Sequence, residues 1–110
     1  MNFKIIPTDN FNKEVKHLAK KYKSIKSDLI KLREELIQNP TSGTLIGKNL
    51  YKVRMAISSK GKGKSGGARI ISYVLIVDQE LFLMSIYDKN EKDNISDADI
   101  KRFMQEINRN

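Results

Sequence analysis

The sequence predicts an α+β fold in which helices and strands occupy separate stretches of the chain. Three observations lead there. Apolar residues recur at helical spacing from Phe11 to Leu36. After Pro40 the period drops to two, and three strand-like runs follow in succession, LYKVRMAIS, ARIISYVLIV and LFLMSIYDK. A last apolar stripe, Ile100, Phe103, Met104 and Ile107, returns to helical spacing.

Taken in order, Phe3 to Ile6 suit a short strand, which Pro7 stops because it cannot donate to a sheet ladder. Thr8, Asp9 and Asn10 offer N-cap side chains, and Phe11, Val15, Leu18 and Tyr22 then line one face of a helix whose other faces carry lysines. A second helix starts near Ser24 and Ser27, places Ile25, Leu29, Leu32 and Leu36 on one seam, and halts at Asn39-Pro40. The two form a helical hairpin. The segment TSGTLIGKN is rich in turn formers. In LYKVRMAIS, Tyr51, Val53, Met55 and Ile57 alternate with Lys52, Arg54, Ala56 and Ser58, giving a half-buried strand with a basic outer face. ARIISYVLIV is almost continuous in β-branched and aromatic residues, as befits a central strand covered on both faces. Asp78-Gln79-Glu80 reverses the chain into LFLMSIYDK, where alternation puts Phe82, Met84 and Ile86 on one side and Ser85, Tyr87 and Lys89 on the other. Ser96 and Asp99 resemble a capping box opening the final helix. Strands joined by short turns pair antiparallel, so the expectation is an N-terminal strand, a helical hairpin, an antiparallel sheet of about four strands and a C-terminal helix, all in one domain over residues 1–110.

The composition narrows function. A net charge of +8 on so small a chain needs a polyanion, an acidic protein or an anionic membrane, and nucleic acid is the leading candidate. No eighteen-residue apolar run and no hydrophobic region of signal-peptide length in MNFKIIPTDN are present, which points to a cytoplasmic protein with no membrane role. Zero cysteines exclude disulfides, thiolate zinc sites and cysteine nucleophiles; a single histidine, His17, excludes sites needing two imidazoles and reads as a surface or helix-hairpin residue. Asp88, Glu91, Asp93, Asp97 and Asp99 cluster late in the chain, but Asp97 and Asp99 fit the first turn of a helix, where its dipole favours acids. No metal site and no cofactor are expected.

KGKGKSGGAR, Lys60 to Arg69, is the most distinctive stretch. Gly61 to Gly66 satisfies the dinucleotide pattern G-x-G-x-x-G, and Gly63-Lys64-Ser65 looks like the tail of a P-loop. Both motifs require a helix next, to receive phosphate at its N-terminus, whereas RIISYVLIV is strand. The P-loop also needs a glycine where Ser58 stands. A passive, solvated hairpin loop is the plain alternative. Against it, the cations continue from Lys52 and Arg54 on one strand to Arg69 on the next, and glycines let a backbone approach phosphates that lysines neutralise.

YKVRMAISSKGKGKSGGARIISYV, followed by LFLMSIYDKNEKDNIS and a closing helix, resembles the RelE/HigB family of toxins from bacterial type II toxin–antitoxin systems, in the subgroup with a GKGKSGGAR loop. The likeness extends from FKIIPT to the last helix. It implies a curved antiparallel sheet in a RelE-like α+β fold and an endoribonuclease that cuts messenger RNA in the A site of the 30S ribosomal subunit. It also implies a cognate antitoxin, a HigA-like helix-turn-helix repressor, through whose complex alone operator DNA would be bound.

Cleavage without metal uses the RNA's own 2′-hydroxyl as nucleophile and needs a base, stabilisation of the phosphorane and an acid for the leaving oxygen. On the resemblance, Lys52 and Arg54 match the basic pair on the second strand, one of them serving as or assisting the base. A guanidinium hardly deprotonates, so Arg54 better suits holding phosphate. Arg69 matches the arginine that stabilises the transition state, and Lys89 stands where relatives carry an arginine assisting the leaving oxygen. Both are expected to be exposed on one side of the sheet. Lys60, Lys62, Lys64 and Lys92 would hold flanking or ribosomal RNA. Several relatives have a base-stacking tyrosine where this chain has Ile95; Tyr87 either takes over that task or packs structurally. Two other readings stand beside the nuclease: a ParE-like DNA gyrase inhibitor, whose branch generally lacks so full a set of cations, and a non-catalytic nucleic-acid-binding module.

Overall fold

A computed structural model describes residues 3–92 and 94–108. Along the chain run β1 (Lys4–Pro7), α1 (Asp9–Lys21), α2 (Ile25–Gln38), β2 (Thr44–Gly47), β3 (Leu50–Met55), a 3-10 turn (Ser58–Lys60), β4 (Ala68–Leu75), β5 (Glu80–Asp88) and α3 (Asp97–Asn108). The strands form one sheet in the order β1-β5-β4-β3-β2. Five strands stand where about four were expected. The added strand is β2, four residues inside the turn-rich segment, paired antiparallel to β3 with Thr44 opposite Lys52. The sheet is also mixed: β1 runs parallel to β5, with Lys4 opposite Glu80, because both helices of the hairpin intervene before the chain returns to the sheet.

Local chemistry sets the helix starts. Thr8 caps α1, its hydroxyl oxygen accepting from the Phe11 N–H at 3.2 Å and donating to the Leu83 carbonyl at 2.9 Å, so a single side chain starts the helix and ties it to β5. Ser24 precedes α2 and makes no cap hydrogen bond to the helix backbone. Ser96 accepts from the Asp99 N–H at 3.0 Å ahead of α3.

Helices cover both faces. On one, Phe11, Leu18, Ile25, Leu32 and Leu36 from α1 and α2 pack over Val53, Met55, Ile70, Val74, Leu81 and Ile86. On the other, Phe103 of α3 covers Leu50, Ile71, Met84 and Tyr87, flanked by Ile95, Ile100, Met104 and Ile107. That double cover explains the unbroken apolar run of β4, in which Ala68 to Ser72 and Val74 are all buried. Strict alternation fails in β5. Ile71 faces Ser85 while Ser72 faces Leu83, so Met84 is an extra residue, a β-bulge. Beyond it the faces exchange: Ile86 joins the α1–α2 side, and Tyr87 shares the α3 side with Phe82 and Met84.

Candidate active site

The cations of β3 and β4 meet across the sheet. Arg54 is directly opposite Arg69, and Arg69 is directly opposite Tyr87 on β5. Lys52, two residues before Arg54, shares its face, and its Nζ donates to Asn94 Oδ1 at 3.3 Å. Lys89 lies one residue beyond β5, half-buried at the start of a turn, and its N–H donates to the Gly67 carbonyl at 3.1 Å, so its backbone is held at the end of the β4–β5 ladder. Like charges directly opposed on a sheet are unfavourable, by roughly 0.2–1 kcal/mol. Among the described residues no carboxylate forms an ion pair with Arg54 or Arg69.

Arg69 departs from expectation. It is 4% exposed, with its NH1 donating to the carbonyls of Lys64 at 2.9 Å and Ala68 at 3.1 Å and its NH2 to that of Ser65 at 3.4 Å. The glycine-rich loop has folded back on the guanidinium, satisfying it with peptide dipoles in place of water. Burial lowers its pKa, and the opposed Arg54 adds to that, while Tyr87 works against it. Arg54 remains exposed and lines a cleft of about 190 Å³ together with Lys31, Lys64, Asp28 and Glu35.

Lys60 departs further. Expected to reach an RNA backbone, it turns inward to an ion pair with Asp88 Oδ1 at 3.0 Å, the two side chains being 8% and 1% exposed. Asp88 also accepts from the Tyr22 hydroxyl at 2.6 Å and the Asn90 N–H at 3.0 Å, and the Lys60 ammonium lies 5.4 Å from the Tyr22 ring centroid. Burial by itself raises the Asp88 pKa, but the bonds from Tyr22, Asn90 and Lys60 outweigh it and hold the carboxyl below its ordinary range. A lysine in a run of lysines and glycines gives no sign of such a partner twenty-eight residues away. Asp28 is the other buried acid that sequence reasoning missed. On the seam side of α2, it accepts from the Ser58 N–H at 3.0 Å, from the Ser58 hydroxyl and from the Ser24 hydroxyl at 2.7 Å.

The remaining lysines of the loop and the late turn keep to the surface, and Tyr87 does not. Lys62 and Lys64 are exposed on the loop. Lys92 is half-exposed, 5.7 Å from the Tyr87 ring centroid and 3.6 Å from Asp99 Oδ2. Tyr87 is 6% exposed and packed beneath α3, and Ile95 packs beside it. His17, exposed on α1, shares a cleft of about 500 Å³ with Tyr87 and Lys92, a proximity created by the α1–β5 contact. Of the late acids, Asp93 lies outside the described residues; among those described, no three His, Asp or Glu side chains gather as a metal site.

The fold is similar to that of the E. coli toxin RelE, solved in the free state as a double arginine-to-alanine mutant: the TM-score is 0.62 at 18% identity, covering 84% of this chain and 90% of that one. Residues 4–109 match the family described as the RelE toxin of the RelE/RelB toxin–antitoxin system. The chain therefore belongs to the RelE toxin family, and is the toxin member of a toxin–antitoxin pair.

Proposed function

We propose that this toxin is a ribosome-dependent endoribonuclease that inhibits translation by cutting messenger RNA in the 30S A site. The observation that carries the reading is the Arg54–Arg69 pair, two arginines directly opposed in register across β3 and β4, neither in an ion pair with a carboxylate among the described residues. A phosphate on the exposed Arg54 relieves the repulsion and gains forked, charge-assisted hydrogen bonds, with the buried Arg69 adding positive charge behind it. Charge that grows on the nonbridging oxygens as the 2′-hydroxyl attacks is stabilised most by donors already in place. Lys52 or Arg54 serves as or assists the base, Lys89 assists the departing 5′-oxygen, and the products are a 2′,3′-cyclic phosphate and a 5′-hydroxyl. The bond broken is phosphorus to 5′-oxygen, the bond formed phosphorus to 2′-oxygen, and the proton passes between them, so this route needs no metal. Lys62, Lys64 and Lys92 hold flanking or ribosomal RNA. The antitoxin is a HigA-like helix-turn-helix protein that carries the complex to operator DNA.

Programmed ribosomes incubated with the pure chain should give cuts within the A-site codon, ending in cyclic phosphate and insensitive to chelator. Arg54→Ala with Lys89→Ala should abolish them and leave melting unchanged. That pair is the better test, because Arg69→Ala would also release three loop carbonyls. Double-strand DNA breaks without RNA cuts would favour the gyrase inhibitor, and RNA binding without either would favour the plain binding module.

A further inference from the structure

We propose that the buried Lys60–Asp88–Tyr22 cluster is a positioning device that fixes the near end of the glycine-rich loop against the end of β5, and so places Lys89 beside Arg69. The inference rests on the nuclease reading for its consequence, and on geometry for its substance.

Removing two charges from water costs more than their attraction usually returns, so a buried ion pair is weak grounds for a stability role. Its placement gives the better account. Asp88 joins three segments remote in sequence: the end of α1 through Tyr22, the last residue of the 3-10 turn through Lys60, and its own strand end through Asn90. Its side chain meets Tyr22 at the end of α1, while Tyr87 before it packs on the opposite, α3 face, and Lys89 after it opens the turn. Clamping Asp88 therefore fixes the backbone from which both of those side chains project. Lys60 immediately precedes Gly61, whose φ of 70° begins the loop. One 3.0 Å contact thus ties the loop's origin to the strand end. At the loop's far end, Gly67 accepts from the Lys89 N–H, and a Cβ there would meet the Met55 carbonyl oxygen at 2.2 Å. Between these two anchors Gly61 and Gly63 have open space around them, and the Lys64 and Ser65 carbonyls accept from Arg69.

The test replaces the pair by apolar residues of similar size, Lys60→Met with Asp88→Leu, in the full chain. A structural role predicts that good packing suffices. Positioning predicts cooperative melting as before, exchange of the Lys89 amide about tenfold faster with the Ile70 amide unchanged, and cutting at saturating ribosome concentration slower on the order of 100-fold with half-saturation unmoved. Lys60→Arg alone, with Asp88 kept, should leave both at their wild-type values. An unchanged Lys89 amide, or cutting at the wild-type rate, overturns the proposal. If the double variant does not fold, Tyr22→Phe, which keeps the ion pair, decides by the same selective exchange. If the wild-type chain cuts nothing, the nuclease reading falls separately, and amide exchange alone still decides the placement of Lys89.

Discussion

Gly67→Ala should be far more damaging than alanine at Gly61 or Gly63, and the reason is a distance. An added Cβ would lie 2.2 Å from the Met55 carbonyl oxygen, 3.0 Å from Ala56 Cα and 3.1 Å from Ile57 N, all backbone atoms that no side-chain rotation can move aside. Restoring ordinary contact requires β3 and the loop to separate by about 1 Å. That retreat strains the Lys89 N–H to Gly67 carbonyl bond at 3.1 Å, which closes the β4–β5 ladder. Overpacking costs about 1–3 kcal/mol and a lost hydrogen bond about 1 kcal/mol, giving about 2–4 kcal/mol together. An unfolding entropy of about 2.1 cal/mol/K per residue makes each kcal/mol about 4 °C for a chain of this length, so the melting temperature should fall by about 9–17 °C. Gly63→Ala is the control. Nothing lies within 4 Å of its Cβ position, and only a φ of 64° opposes it, worth about 1–2 kcal/mol. Scanning calorimetry of both variants against wild type decides. Melting temperatures for the two within about 3 °C of each other would refute the close approach.

Three further outcomes follow from named contacts. Asp88→Asn leaves the Lys60 charge buried without its partner and should cost about 3–5 kcal/mol near neutral pH. Because the Asp88 carboxyl is held below its ordinary range, its contribution is present above the unfolded value of about 3.9 and is lost as pH falls. The gap between wild type and Asp88→Asn in thermal melts should therefore narrow below about pH 4. Phe103→Ala, at a side chain 2% exposed under α3, should lower unfolding free energy by about 3–5 kcal/mol in urea titrations. Binding of a single-stranded RNA oligonucleotide should weaken linearly in log affinity against log salt, and Arg54→Ala should reduce that slope by about 0.7, one phosphate contact.

The periodicities made most elements legible in advance. Phe11 and Leu18, then Ile25, Leu32 and Leu36, are buried as their helical spacing requires, and the unbroken apolar run of β4 lies between two helical layers. Thr8 and Ser96 cap α1 and α3 because a hydroxyl just before an amphipathic run satisfies orphan N–H groups wherever it occurs. A strand of four residues among turn formers was not legible, because β2 owes its state to pairing with β3.

What the sequence determined by itself is therefore what near neighbours along the chain decide: helical faces, strand alternation, caps, and an excess of positive charge that calls for a polyanion. Tertiary structure alone decided the rest. The bulge at Met84 reversed the faces beyond it, the loop carbonyls took up Arg69, and Asp88 drew Lys60 inward. A strand's alternation carries no record of a residue its partner leaves unmatched, and a cation's sequence context does not say whether water, a carbonyl or a distant carboxylate will answer its charge. Those depend on which groups the closed fold brings within 3 Å, where desolvation and hydrogen bonding together exceed local preference.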